Sequence, residues 1–173
     1  MDAPTILDRP HAGLLAWLAD HHVEHEVHPH PETFTARQTA RAEGVAPTTF
    51  EKVVAVRTDD GRTVLLVVDA TDAVDLRKAR TALAATGVSL LTEPELAALA
   101  PDCDLGAIPA VGSLFGLSVV ADFAVRDDEA VSFNAGSHRF AVRVDRAAWE
   151  RAAAITYADL AIDDDGRPTW ARS

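Results

Sequence analysis

The chain has 173 residues, 48% of them hydrophobic, and 27 acidic residues against 16 basic ones give a formal net charge of −11. This length is typical of a single domain with one hydrophobic core. The negative charge argues against a protein that grips nucleic acid through a broad basic surface, but it does not exclude recognition by a few residues.

Two further features of the composition exclude other classes of protein. Cys103 is the only cysteine, which rules out a disulfide framework and a cysteine-based zinc cluster and is typical of a reducing cytosol. No apolar run approaches the ~20 residues of a membrane span, and no basic-then-apolar leader opens the chain. We therefore expect a cytoplasmic, untargeted protein without a membrane partner.

The first third of the chain predicts two helices and a hairpin. Leu14, Trp17 and Leu18 form a helical stripe within residues 11–21, and residues 24–28 alternate as a short edge strand. A second short helix is predicted from Thr35, whose spacing to Gln38 is that of a capping box. Residues 52–57 and 63–68 are β-branched runs joined by a turn at residues 59–62, which indicates an antiparallel hairpin.

The middle of the chain predicts short helices and one long loop. Asp75 caps a helix that runs to about residue 85 and stops near Gly87, and residues 88–91 form a strand. Thr92 and Glu95 form another capping box, which opens a helix through Leu99. Residues 101–112 contain two prolines and two glycines and predict an irregular loop, and a loop this long inside a domain is more often functional than filler.

The last third predicts strands, a helix and a tail. Strands are predicted over residues 117–121, 130–133 and 138–144, the last two joined by a turn at residues 134–137. Asp145 caps a closing helix, and residues 156–173 read as an acidic tail that docks or frays. Helices and strands are interleaved but hairpins recur. We therefore expect an α/β fold, a compact single domain over residues 1–155 with a mixed, mostly antiparallel sheet and surrounding short helices.

Six of the seven histidines lie in the first thirty residues, which raises the possibility of a metal site. Zinc needs three or four converging ligands, and these histidines are divided between a helix and a strand without a zinc-binding spacing such as HExxH. We interpret them as solvated side chains and expect no metal and no cofactor. Cys103 is interpreted as an unreactive loop thiol, because its neighbours Asp102 and Asp104 disfavour the thiolate.

Lysine is scarce, since the chain has fourteen arginines but only Lys52 and Lys78. Lys52 opens an apolar strand, so its ammonium either extends outward to solvent or points into a cleft, and the sequence leaves both alternatives open. Gly106 and Gly112, on either side of Pro109, either let the chain bend or present backbone amides to a carbonyl.

Several segments, in this order, resemble the YbaK and prolyl-tRNA synthetase-associated editing domain family. They are the lysine-bearing strand 50–56, the helix start at 74–76, the loop 101–116, Val120 to Asp122 and Phe133 to His138. The similarity spans roughly residues 11–152, which makes it far more specific than one short motif. It implies a compact mixed α/β fold and hydrolysis of the ester of mischarged aminoacyl-tRNA.

The resemblance also implies roles for individual residues. Lys52 corresponds to the family's essential lysine, which contacts the substrate near the scissile ester or the terminal adenosine. The remaining residues correspond to the substrate pocket: Thr35, Gly106, Ile108, Pro109, Gly112, Asn134, Gly136, Ser137 and His138. The implied partners are the 3′ end of a mischarged tRNA and, as a further candidate, an aminoacyl-tRNA synthetase, and the 2′-hydroxyl of the tRNA is expected to assist.

The chain departs from the family pattern at three places. The family commonly has Pro-Pro-Phe-Gly where this chain has residues 109–112, threonine where it has Ser137, and proline where it has Asp69. Replacing the aromatic residue with Val111 reshapes the pocket, so amino-acid specificity does not transfer from the family to this chain.

Two other hypotheses for the function remain. One is a non-catalytic module that keeps the pocket for an aminoacyl-like ligand or a protein partner, and the other is a metal-dependent hydrolase that uses the histidine-rich start.

The charge is unevenly distributed, which predicts a direction of approach for tRNA. Residues 1–30 carry five acidic residues and one basic, and residues 91–130 carry eight and one, so these two segments hold the entire excess. We expect tRNA to approach weakly over the hairpin that carries Lys52 and over the final strand and helix. The arginines of that surface are Arg139, Arg143, Arg146 and Arg151.

Overall fold

A computed structural model describes residues 8–30 and 50–163 of the protein. Within these residues the chain forms four α-helices and ten strands. The helices are α1 (Ala12–Asp20), α2 (Leu76–Ala82), α3 (Glu93–Leu99) and α4 (Arg146–Ala152). The strands are β1 (His25–Pro29), β2 (Glu51–Thr58), β3 (Thr63–Asp69), β4 (Asp72–Val74), β5 (Val88–Leu90), β6 (Ser118–Asp122), β7 (Ala130–Ser137), β8 (Phe140–Asp145), β9 (Thr156–Ala158) and β10 (Ala161–Asp163). The helix predicted from Thr35, and Thr35 itself, lie outside the described residues.

The central feature is a five-stranded mixed sheet in the order β5-β2-β3-β6-β9. Strands β2 and β3 form the predicted antiparallel hairpin, and Gly61 in its turn has a φ of 91°, which favours glycine. Strand β6 runs parallel to β3 and to β9, whereas β5 is antiparallel to β2. The prediction of a mixed α/β fold with short helices is therefore confirmed.

A second, antiparallel sheet has the order β1-β8-β7, with β1 at its edge as predicted. A parallel bridge between Phe50 and Ser132 connects it to the start of β2. None of the helices in residues 8–30 and 50–163 has the length and apolarity that crossing a membrane requires.

The turn predicted at residues 134–137 is wrong, because these residues continue β7 to Ser137 with a bulge. These residues are of types that favour turns, but backbone amides from other segments extend the strand through them. The backbone amide of His11 donates to the Ala135 carbonyl, and that of Asp104 donates to the Gly136 carbonyl. The chain reverses at His138 and Arg139, so His138 lies in the turn and not on the last strand.

The predicted caps begin the helices as expected. Asp75 and Asp145 accept hydrogen bonds from the first turns of α2 and α4, and Thr92 forms the capping box with Glu95.

The helix end predicted near Gly87 is wrong. Helix α2 already ends at Ala82, because Ala84 takes a φ of 51° and reverses the chain there.

The five-stranded sheet separates two hydrophobic clusters. One cluster, which includes Leu14, Leu65, Phe133 and Trp149, packs α1 and α4 against the sheets. The other lies under α2 and includes Val56, Leu66, Val68, Ala79 and Leu160. The indole Nε1 of Trp149 donates to the Ala110 carbonyl at 2.8 Å, which ties α4 to the long loop.

The first part of the predicted tail docks on the domain. Strand β9 pairs with β6 and β10 pairs with β4, and Leu160 and Ala161 are buried. The carboxylate of Asp122, itself 2% exposed, accepts hydrogen bonds from the amides of Leu160, Ala161 and Ala124 at 2.9, 3.0 and 3.0 Å. One buried side chain thus holds residues 159–163 against the end of β6.

We predict that Asp122→Ala lowers the free energy of unfolding by about 3 kcal/mol, because three backbone amides lose their acceptor and each unsatisfied donor costs ~1–3 kcal/mol. Denaturant unfolding measures the loss, and hydrogen exchange should accelerate within residues 156–163. The control Asp127→Ala, at an exposed carboxylate, should change stability by less than about 0.5 kcal/mol. Equal losses in the two variants would contradict this role of Asp122.

Candidate functional site

The long loop is fastened to the end of β7 by two backbone hydrogen bonds. Gly136 donates to the Ala107 carbonyl at 3.0 Å and accepts from the Asp104 amide at 2.9 Å. Two of the segments predicted to form the pocket, the glycine-proline loop and the end of β7, are therefore in direct contact.

Gly136 is required by both conformation and space. Its φ is +82°, in the left-handed region, and a Cβ there would lie 2.8 Å from the Cβ of His11 and 3.4 Å from the Sγ of Cys103. Because the neighbours are rigidly held, a side chain at this position would push the loop and the start of α1 away from β7.

His138 fixes the geometry of the same junction. Its backbone amide donates to the Asp104 carboxylate at 3.0 Å, and its ring Nε2 lies 2.5 Å from the Leu105 carbonyl. Because a carbonyl only accepts, Nε2 carries the proton in this contact. The ring lies beside Gly106, where a Cβ would be 3.6 Å from the His138 Cε1. The structure thus brings Gly106, Gly136, Ser137 and His138 together where the long loop meets the end of β7.

The other loop residues have packing roles. Pro109 is buried and its carbonyl accepts from the Val111 amide at 2.9 Å. Gly112 is buried too, and a Cβ there would lie 2.2 Å from the Leu117 carbonyl oxygen, so only glycine fits. Gly112 therefore packs against Leu117 and against Val119 of β6, and not against the junction with β7.

Lys52 lies on β2, half-buried and in register with Val68. The parallel bridge between Phe50 and Ser132 joins the chain two residues before Lys52 to the strand that carries Asn134. Phe50 also packs with Ala141, the strand partner of Asn134, so these side chains share one face of the joined strands.

Asn134 contributes an acceptor to that face. Its side chain is 8% exposed, and within residues 8–30 and 50–163 no donor reaches its Oδ1. A buried acceptor without a donor is costly, which marks this position as a place where a ligand donor would be favoured.

A small apolar cavity lies between β2, β5, α3 and the long loop, and its β2 wall begins at the residue after Lys52. Its volume is about 190 Å³, and it is lined by Val53, Val54, Ala55, Leu90, Leu91, Leu96, Gly106 and Ile108. Gly106 and Ile108 are therefore the predicted pocket residues that reach this cavity. Its lining suits an aliphatic group.

The histidine-rich start has structural contacts. His11 caps α1 by accepting from the Leu14 amide through Nδ1, while the Nδ1 atoms of His21 and His25 lie 2.9 Å from the carbonyls of Trp17 and Val23. His28 pairs with Glu26. In the described ranges, the residues close enough to share a metal ion are Glu51, Asp69 and Asp128, and none of them is a histidine.

Sequence reasoning missed two residues of the junction. Asp104 was considered only as a neighbour of Cys103, and His11 only as one of several histidines. Both act on residues more than thirty positions away, which local sequence patterns do not reveal.

Burial, reinforced by Asp102 and Asp104, raises the pKa of Cys103 to about 12. At pH 8 the thiolate should be roughly a thousandfold scarcer than for a thiol of pKa about 9. We therefore predict that iodoacetamide alkylates the folded protein very slowly at pH 8, with a rate that still rises at pH 10, whereas the unfolded chain reacts at an ordinary rate. Mass spectrometry measures both rates. A labelling rate that levels off below pH 9 would disprove this environment for the thiol.

The fold and the pocket define a small mixed α/β domain whose lysine-bearing strand faces a glycine-rich loop. Residues 30–152 match the aminoacyl-tRNA editing domain family. Because this match covers well over half of the chain, the protein belongs to the aminoacyl-tRNA editing domain family.

Solved structures share the fold. A protein provisionally described as a trans-editing enzyme for prolyl tRNA synthetase superimposes with a TM-score of 0.77 at 22% identity, over 89% of this chain and 98% of that one. The hypothetical protein APE2540 gives a TM-score of 0.79 at 16% identity, over 86% and 99%. A scaffold from computational epitope grafting gives 0.76 at 24%, over 89% and 97%. At these identities the likeness establishes the fold alone. A search of curated proteins gave no match.

Proposed function

We propose that the protein is an aminoacyl-tRNA deacylase that acts in trans and hydrolyses the ester of mischarged tRNA. The observation that carries the proposal is that Lys52 lies half-buried on β2, the strand whose next residues, Val53 to Ala55, line an apolar cavity together with Gly106 and Ile108. Membership of the editing family supports the same conclusion.

The chemistry requires positioning more than a protein nucleophile. An aminoacyl ester is already activated, so the site must orient a water or the 2′-hydroxyl of the terminal ribose and stabilise charge that develops on the carbonyl oxygen. The ammonium of Lys52 is the group suited to that charge or to the adjacent phosphate and ribose. Asn134 Oδ1 can accept from a substrate hydroxyl or from the α-ammonium group.

The remaining pocket residues would hold the substrate. The apolar cavity would receive the aminoacyl side chain, and the junction of Gly106, Gly136 and His138 would form its rigid wall. Because His138 Nε2 is committed to the Leu105 carbonyl, it is not the general base in this scheme, which agrees with substrate-hydroxyl assistance.

We predict that Lys52→Ala lowers kcat/KM for deacylation of the cognate mischarged tRNA by at least about 100-fold, equivalent to ~2.7 kcal/mol of transition-state stabilisation. A panel of mischarged tRNAs, followed by release of the labelled amino acid, measures this effect. Lys78→Ala is the matched control, because Lys78 donates to Asp159 and to the Ala161 carbonyl and lies under β10.

Deacylation that survives unchanged in Lys52→Ala would remove the proposed role. If the wild-type protein turns over none of the tRNAs yet binds an aminoacyl-adenosine analogue saturably, the chain is a binding module and not an enzyme. Retained circular dichroism in both lysine variants ensures that a loss of activity is not a loss of fold.

The expected tRNA surface contains fewer uncommitted arginines than its sequence suggests. Arg146 donates to the Asp128 carbonyl and to Glu150, and Arg139 pairs with Asp8. We predict a shallow dependence of tRNA affinity on salt, a slope of about −2 to −3 in the logarithm of the association constant against log salt, since the slope scales with the number of phosphates neutralised. Filter binding between 50 and 200 mM salt tests this, and a slope of about −6 or steeper would contradict it.

A further inference from the structure

Three carboxylates meet where β2 begins and β3 ends. Glu51 and Asp69 lie opposite each other in the hairpin register, and Asp128 follows a short 3₁₀ helix (Phe123–Asp127) immediately before β7. One oxygen from each side chain lies within 4.8 Å of the other two. The cluster therefore joins three segments that are distant in sequence.

The cluster is largely withdrawn from water. Glu51 is 1% exposed and Asp69 is 4% exposed, while Asp128 is only half-buried. In the part of the chain that the structure describes, no hydrogen-bond donor reaches either carboxylate oxygen of Glu51. A buried carboxylate aimed at two others is unfavourable unless a cation or a shared proton lies between them.

Nearby positive charge does not satisfy Glu51. The guanidinium of Arg146 approaches Asp128, but its Nε donates to the backbone carbonyl at 2.6 Å. Burial, with repulsion from Asp69 and Asp128, raises the pKa of Glu51 well above its usual range, and burial raises that of Asp128 to about 6. Within residues 8–30 and 50–163, no cation is among the groups that shift the pKa of Glu51.

We propose that Glu51, Asp69 and Asp128 form a binding site for a divalent cation that prefers oxygen ligands. Two oxygens bound to one Ca²⁺ lie at most twice the metal–oxygen distance apart, which is about 4.6–5.2 Å. Three oxygens that all lie within 4.8 Å of one another are compatible with one shared ion, and Ca²⁺ is a suitable probe. The half-exposed side of Asp128 provides the path by which an ion and its waters enter.

This site is separate from the pocket. Side chains alternate along β2, so Glu51 points to the face opposite that of Lys52, and none of the three carboxylates lines the apolar cavity. Cation binding can accordingly be tested without any deacylation assay, and its failure would leave the proposed function untouched.

The experiment measures Ca²⁺ binding to the full chain by isothermal titration calorimetry after treatment with a chelator and dialysis, together with the thermal unfolding midpoint. We expect one saturable Ca²⁺ per chain and a Tm that rises as Ca²⁺ exceeds its Kd, since a ligand that binds only the folded state stabilises it. Glu51→Gln and Asp128→Asn should each weaken binding at least tenfold. Asp127→Asn, at the adjacent exposed carboxylate, should bind like the wild type.

Three results would overturn the proposal. The first is the absence of saturable binding and of any Tm change in the wild type at millimolar Ca²⁺, in which case a shared proton holds the cluster together. The second is binding that persists in Glu51→Gln, and the third is binding that persists in Asp128→Asn. Asp128 is only half-buried, so we expect Asp128→Asn to fold even if Glu51→Gln does not. Ca²⁺ binding to Asp128→Asn then still tests the site.

Discussion

The pair of backbone hydrogen bonds between Gly136 and residues 104 and 107 is the constraint on which the pocket depends. It forces a long irregular loop onto the end of β7, and it requires a residue with positive φ and no side chain at position 136. Once the loop is held there, His138 bonds Asp104 and Leu105, and Ile108 is carried to the wall of the cavity beside β2. The pocket is thus built by backbone geometry.

Strand β2 carries two kinds of chemistry on its two faces. One face presents Lys52, and the other turns Glu51 toward Asp69 and Asp128. Both arrangements place a polar group within an apolar sheet, where uncompensated charge is costly. The start of β2 therefore combines a cation on one face with a carboxylate cluster on the other.

Local signals in the sequence predicted the elements well. The hairpin, the edge strand and the capped helix starts at Asp75, Thr92 and Asp145 all follow from residue type and spacing, which act over a few positions. Lys52 and the two glycine-rich segments were identified by family resemblance and by the scarcity of lysine. Their roles remain predictions.

What the sequence did not reveal depends on long-range contacts. Asn134 to Ser137 have the composition of a turn, yet amides from the long loop and from α1 extend them as a strand. Residues 156–163 look like a tail, but Asp122 gathers their amides onto β6. The carboxylates of Glu51, Asp69 and Asp128 are separated by 18 and 59 positions in sequence and come together only in the folded chain.

The central claim is that substrate binds between the part of β2 that begins at Lys52 and the long loop that Gly136 holds against β7. Amide chemical shifts measured during titration with a non-hydrolysable aminoacyl-adenosine analogue test it most directly. The account predicts the largest changes at Gly106, Asn134 and Gly136, and little change at Gly61 and Gly87, which lie at the far end of the hairpin. Saturable binding with shifts confined to other regions, such as β1 or α2, would contradict it.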